Sequence, residues 1–325
     1  MPAGPRPARR GRDPVPLRYC RADLAIRRKV LWKPGFFMQL RRLAGVVCLA
    51  CSILFASLAL VAHLTAAEPR PVPPVVQENW RPDLGRIRSI DAAMAVLPAY
   101  IARENGSREE RIAAGIDRFV RDRFFHGLSF IGWRENWLAA LSGYVWENLQ
   151  VPVLPDDIMH HRRAICSQQA IVVMELLRRH GIHTAALLAS WPSLDPASRG
   201  HFALAARIDG RWIFFDPDQE PPVRGVPVER VIDGSALTRL YADKPQLLAG
   251  LRHAASHRTI HLAHFDSFPA PRGGLFQAAT AWASAYGWLP LGLAAVLVLL
   301  GPGLSGRRSL RLSEAFAAPQ RRPCG

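Results

Sequence analysis

Two long apolar runs bracket the chain. From Leu43 to Ala67, and again from Gly273 to Gly306, no residue carries a formal charge. About 20 apolar residues in a helix cross a bilayer, so the runs predict transmembrane helices over 43–66 and 280–304. Arg41 and Arg42 precede the first run; Arg307, Arg308 and Arg311 follow the second. An Arg at the bilayer centre costs about 2.5–3.5 kcal/mol on insertion scales, so these Arg residues mark the span ends. Trp282, Tyr286 and Trp288 fall where an interfacial aromatic belt would lie, and Pro290 sits at an end where a kink is tolerable. The first run has a second reading. Met38 opens a basic start, an apolar core and a small-residue cleavage site at Thr65, Ala66 and Ala67, the plan of a signal peptide. Either reading exports the residues after Ala67.

Between the runs the periodicity changes repeatedly. Residues 68–89 are Pro-rich and predict an extended stalk. Ile90, Met94, Leu97 and Ile101 recur at helical spacing over Ser89–Glu104, with Pro98 as an internal interruption. Asn105 and Gly106 break the pattern. Ser107 and Glu110 form a capping box that starts a helix to about Phe125, with Ile112, Ile116, Phe119 and Val120 on its apolar face. A further helical stretch, Glu135–Leu149, is rich in Trp and Leu. Pro152 and Pro155 predict a loop carrying Asp156 and Asp157. Cys166–His180 predicts a helix, with Arg178 and Arg179 in its last turn and Gly181 as its stop. Ile182–Ala189 alternates as a strand, and a polar loop with Pro192, Pro196 and Gly200 comes next. Residues 201–218 then predict a β-hairpin turning at Asp209 and Gly210.

Composition narrows the class. The 325 residues are 49% hydrophobic and hold five Cys, which excludes a fully disordered chain and a disulfide-stapled mini-protein. The net charge of +16 first suggests nucleic acid. Its distribution removes that reading. Residues 1–42 hold 12 Lys and Arg against 2 Asp and Glu, and residues 302–325 hold 5 against 1. The long middle is nearly neutral. By the positive-inside rule, the basic tails 1–42 and 305–325 are expected in the cytoplasm and residues 67–272 outside it. The expected setting is a bacterial inner membrane, with membrane lipid contacted through two spans and no nucleic-acid partner.

Cys166 is the one Cys between the apolar runs, so no internal disulfide is available to the exported segment. It opens a helix, where backbone N–H groups and the dipole favour a thiolate. A thiolate nucleophile needs a base, and the base needs an orienting group. The hairpin offers both. With Asp209 and Gly210 as a two-residue turn, Ile208 pairs with Arg211, Ala203 opposes Asp216, and His201 opposes Asp218. His201 and Asp216 are then diagonal neighbours on one face, within hydrogen-bond reach. Asp218 is a rival partner, since it opposes His201 directly. For the oxyanion the candidates are the Cys166 N–H with Gln168, Gln169, Trp146, Asn148 or Gln150. His160 and His161 precede the helix and read as cleft or loop residues. His253, His257, His261 and His264 read as one face of a helix, metal-binding or interfacial.

These residues resemble a known family. The CSQQA run, the helix ending RRHGI, the strand, the His opening the next strand, the tight turn and WIFFDPD look like the transglutaminase-like superfamily. That superfamily has the papain-like Cys-His-Asp fold. The likeness covers about Ile116–Pro217, a third of the chain. It implies an α+β core, over about 107–235, in which the Cys-bearing helix packs on an antiparallel sheet. It also implies Cys166 as nucleophile, His201 as general base and acid, and Asp216 as the residue orienting His201, with no metal or organic cofactor. The expected activity is acyl transfer on peptide or protein amides of the cell envelope. Two positions depart from the pattern: Ile165 stands where Gly or an aromatic is usual, and Ala203 where an aromatic is usual. They support the alternative of an inactive envelope scaffold that keeps the fold for binding.

Overall fold

A computed structural model describes residues 34–64, 80–192, 200–221 and 223–300. The predicted cleavage site, most of the stalk and of the polar loop, most of the N-terminal basic tail, the last residues of the second span and the C-terminal tail lie outside the described residues. The elements in chain order are α1 (Pro34–Leu64), α2 (Ile90–Ile101), α3 (Arg108–Arg123), β1 (Phe125–His126), α4 (Trp133–Ser142), α5 (Pro155–Met159), β2 (Arg163–Ala164) and α6 (Cys166–Arg179). They continue as β3 (Thr184–Ser190), β4 (Gly200–Ile208), β5 (Arg211–Phe215), α7 (Glu229–Ile232), α8 (Leu237–Tyr241), α9 (Pro245–Ser256), β6 (Ile260–Ala263), α10 (Pro271–Tyr286) and α11 (Trp288–Leu300). The class is α+β, with an antiparallel sheet.

The chain divides into two units, 55–287 and the remainder. In the smaller one, α11 lies antiparallel to the first part of α1. Ser52 Oγ donates to the Trp288 carbonyl at 2.7 Å, and Arg41 Nε donates to the Val298 carbonyl at 3.1 Å. Helix α1 contains one stretch, Met38–Leu64, long and apolar enough to cross a membrane. It begins at Pro34, ahead of the basic pair, so the helix starts before the apolar run does. Proline at a helix start forfeits no hydrogen bond, and its fixed φ suits the first turn.

The second apolar run is not one straight helix over 280–304. Helix α10 ends at Tyr286 and α11 starts at Trp288, with a break at Gly287. Pro290 lies in the first turn of α11 and has no N–H to offer the Tyr286 carbonyl, so the helical ladder is interrupted there. Phe55 packs where a side chain on Gly287 would stand. Residues 280–286 therefore belong to the larger unit.

In that unit the sheet order is β5-β4-β3-β6, all antiparallel. Ala186, Leu204 and Ala206 face α2, α3 and α6; Leu187, Ala203 and Ala205 face the layer of α7, α8 and α9. Both faces are covered, which is why β3 and β4 read as nearly continuous apolar runs. The folded body extends well beyond 107–235. Leu84, Ile87, Ile90 and Leu97 complete one core, and Tyr241, Leu248, Leu251 and Ile260 complete the other.

Local signals explain most boundaries. Ser89 caps α2 through the Ala92 N–H, and Pro98 is accommodated inside one continuous helix. Ser107 and Glu110 form both halves of the capping box on α3. Gly181 has a φ of +77°, which suits a glycine stop. The stretch Glu135–Leu149 is not one helix: α4 ends at Ser142, a turn intervenes, and a 3-10 turn spans Glu147–Gln150. The expected Pro155 loop is the short helix α5, with proline in its first turn.

Candidate active site

The hairpin sets the geometry. Asp209 and Gly210 have φ of +47° and +80°, a type I′ turn that matches the strand twist. Ile208 pairs with Arg211 and Leu204 with Phe215, the register expected from the sequence. The ladder ends at Phe215. His201 is the second residue of β4, opposite Ala189 of β3, and Asp216 comes directly after β5.

The two side chains meet. His201 Nε2 lies 2.7 Å from Asp216 Oδ2, with the Asp216 side chain wholly buried. Asp218 does not take that place. After Asp216 the chain turns, with the Gln219 N–H donating to Asp216 Oδ1 at 3.2 Å. Asp218 Oδ1 is carried to His126 Nδ1 at 2.7 Å and to Gln169 Nε2 at 3.1 Å.

Cys166 is the first residue of α6 and is half-buried. It lies close enough to the His201 side chain to help raise that imidazole's pKa. Since Nε2 faces Asp216, Nδ1 is the nitrogen left for the sulfur. The start of α6 is tied down by its own glutamines. Gln168 Oε1 accepts from the Ile165 N–H and from Ser129 Oγ, each at 3.1 Å, while its Nε2 donates to the Pro152 carbonyl. Gln169 Nε2 donates to the Ala164 carbonyl and to Asp218.

Tyr241 completes the set and was not expected from the sequence. Its hydroxyl donates to Asp216 Oδ2 at 2.6 Å from the last residue of α8. Leu237, Leu240 and Tyr241 share one buried helical face, so the sequence shows an apolar residue there and gives no sign of its hydroxyl's task. Arg121 of α3 adds a bond to the Asp216 carbonyl at 3.4 Å and pairs with buried Asp117 at 2.9 Å.

The electrostatics come from these contacts. Burial opposes charge on His201, but the Asp216 charge and hydrogen bond, then the Cys166 contact, outweigh it and raise its pKa well above 6.5. Burial likewise pushes Asp216 upward, but the charge and bond of His201 and the bonds from Tyr241 and Gln219 hold it below the usual carboxylate value. Burial, together with the Asp216 charge, raises the Tyr241 phenol well above 10. The phenol therefore stays a donor. The arrangement can move a proton between sulfur and imidazole while Asp216 fixes the ring and balances its charge.

The remaining candidates part company with this site. The side-chain amides of Gln168 and Gln169 are engaged in the bonds that hold α6. Trp146 and Asn148 are exposed, and Gln150 packs on Gly143. His160 and His161 line a cavity whose lining includes neither Cys166, His201 nor Asp216. The four C-terminal His residues do not share a helical face. Helix α9 ends at Ser256, His253 and His257 stack at 3.9 Å, and His261 lies on β6, paired with Leu188. Among the described residues, no three His, Cys, Asp or Glu side chains gather as a metal-binding group.

No family model matches the chain, and no curated protein and no solved structure matches it.

Proposed function

We propose that the chain is a membrane-tethered cysteine acyl-transfer enzyme with a transglutaminase-like, papain-like Cys-His-Asp core. One observation carries the reading: His201 Nε2 is held at 2.7 Å by buried Asp216, and Cys166 stands beside that imidazole as the first residue of α6. The Cys166 sulfur attacks an amide carbonyl carbon, forming a C–S bond and an oxyanion. His201, protonated, gives its proton to the departing amine as the C–N bond breaks, leaving a thioester. His201 then takes a proton from water or a second amine, which attacks the thioester and frees the sulfur. Water makes the enzyme a peptidase or amidase; an amine makes it a transglutaminase. These steps call for no metal or organic cofactor. With α1 and the broken α10–α11 pair read as two spans of a bacterial inner membrane, the folded unit faces the envelope. Its substrates are then envelope peptides or proteins.

The test is the pH dependence of iodoacetamide alkylation at Cys166, read by mass spectrometry on the full chain in neutral detergent. The residue-level readout separates Cys166 from the four other Cys. Rapid alkylation below pH ~7 that His201→Ala slows about tenfold or more is the expected result. A rate that climbs only near pH ~8.5, and is equal in the variant, sinks the enzyme reading and leaves the scaffold.

A further inference from the structure

A cavity of about 970 Å3 lies in the larger unit, beside the start of α6 but separate from His201 and Asp216. Its lining includes Arg88, Arg134, Arg162 and Arg163, against the carboxylates of Glu135 and Glu147. None of the four guanidinium groups makes a salt bridge among the described residues; Arg134 instead donates to the His63 carbonyl at 2.9 Å. Four arginines around one concavity repel one another unless an anion joins them, and their planar forks suit phosphate or carboxylate oxygens. Trp133 and Tyr144 line the same cavity.

The rim is apolar and placed at the base of α1. Beyond α4 the turn at residues 143–146 leaves Tyr144 80%, Val145 89% and Trp146 60% exposed. Such a patch is costly in water and marks an interaction surface. Helix α4 runs back along α1. Arg134 sits at His63, while the Trp137 ring packs edge-on against Phe55 at 5.2 Å. Phe55 lies about 13 Å along the helix axis from Leu64. Trp137 Nε1 also donates to the Ser284 carbonyl, which fixes α4 to α10, where Trp282 and Tyr286 are exposed as well. A tip that tracks α1 into its apolar part is in lipid if α1 is in lipid.

We propose that this cavity binds the anionic headgroup of an amphiphile lying in the membrane surface, with Tyr144, Val145 and Trp146 seated among its acyl chains. The arginines take the headgroup at the point where the protein enters the bilayer. Ser129 of the lining bonds Gln168 on the first turn of α6, and Arg163 lies three residues before Cys166. A headgroup held here is therefore linked to the first turn of α6, which begins at Cys166, through Ser129 and Gln168. That the amphiphile is the acyl donor rests on the cysteine-enzyme reading; that it binds does not.

The test titrates the full chain in neutral detergent and monitors tryptophan fluorescence. The probes are dioctanoyl phosphatidylglycerol, dioctanoyl phosphatidylcholine and inorganic phosphate. The anionic lipid is expected to bind about tenfold tighter than either comparator, and the exposed pair Arg88→Glu with Arg162→Glu to abolish that preference. Tyr144→Ser with Trp146→Ser should weaken the lipid about tenfold while leaving the fold intact, since both side chains are exposed. Equal binding of the two lipids, or indifference to the Arg pair, overturns the proposal. Phosphate binding as tightly as the lipid overturns the amphiphile and points to a soluble anion. Cys166 alkylation is measured on every sample. Selective lipid binding with an ordinary thiol retains this site and discards the enzyme, and the reverse result does the opposite.

Discussion

Asp216 governs the charge state of the site. Its carboxylate accepts from His201, Tyr241 and the Gln219 N–H, and these donors keep it ionised where burial alone would neutralise it. Tyr241→Phe removes one donor and leaves the packing. Denaturant unfolding should show a loss of about 1.5–3 kcal/mol, the worth of a hydrogen bond to a charged group. Low-pH alkylation of Cys166 should also weaken, because His201 holds its proton less firmly; an unchanged profile would make Tyr241 a packing residue only. The pH dependence of stability has a definite sign. The unfolded chain releases the His201 proton near 6.5, whereas the folded chain keeps it to a higher pH. That contribution is complete below pH 6.5 and is lost as pH rises through the folded value. The Asp216 contribution is present above 3.8 and is lost as pH falls through its depressed value. Thermal midpoints should therefore fall on the alkaline side in the wild type, and His201→Gln should flatten that fall. A slope identical in both proteins would show that His201 is not the group involved.

At the scale of elements, the hairpin was the most legible part. Its two-residue turn fixed the pairing, and the pairing put His201 and Asp216 on one face. Gly210→Val should strain the +80° backbone by about 1–2 kcal/mol and slow Cys166 alkylation by disturbing His201 and Asp216 together. A destabilised variant with unchanged alkylation would uncouple the turn from the site. Short-range patterns also gave α2, α3 and α6, because caps and apolar faces are written within one helix. The features that escaped depend on distant residues. Asp218 opposes His201 by counting, but the turn closed by the Gln219 N–H swings it to His126. Helix α4 is pinned to α10 near its middle. Asn136 adopts extended φ inside α4, donates to Gln277 O and Thr280 Oγ1, and accepts from Ser284 Oγ. Asn136→Ala strands several of those groups and should cost about 2–3 kcal/mol in unfolding measurements. A neutral result would mean that water replaces the amide.

For the whole molecule, the two apolar runs were visible as composition, while the break at Gly287, where Phe55 packs closely, was not. Alkaline carbonate washing of membranes should leave the full chain in the pellet. A pelleted form whose first residue follows Ala67 would instead establish the cleaved-signal reading of the first run. The layering has a consequence for biogenesis. Cys166 arrives on the helix that covers one side of the sheet, and Tyr241 arrives with the helices that cover the other. A chain made from its N-terminus presents Cys166 first, then His201, then Asp216, and only after 25 more residues the Tyr241 phenol that bonds that carboxylate. On the proposed cysteine-enzyme reading, the thiol therefore lacks its full set of partners until both sides of the sheet are covered.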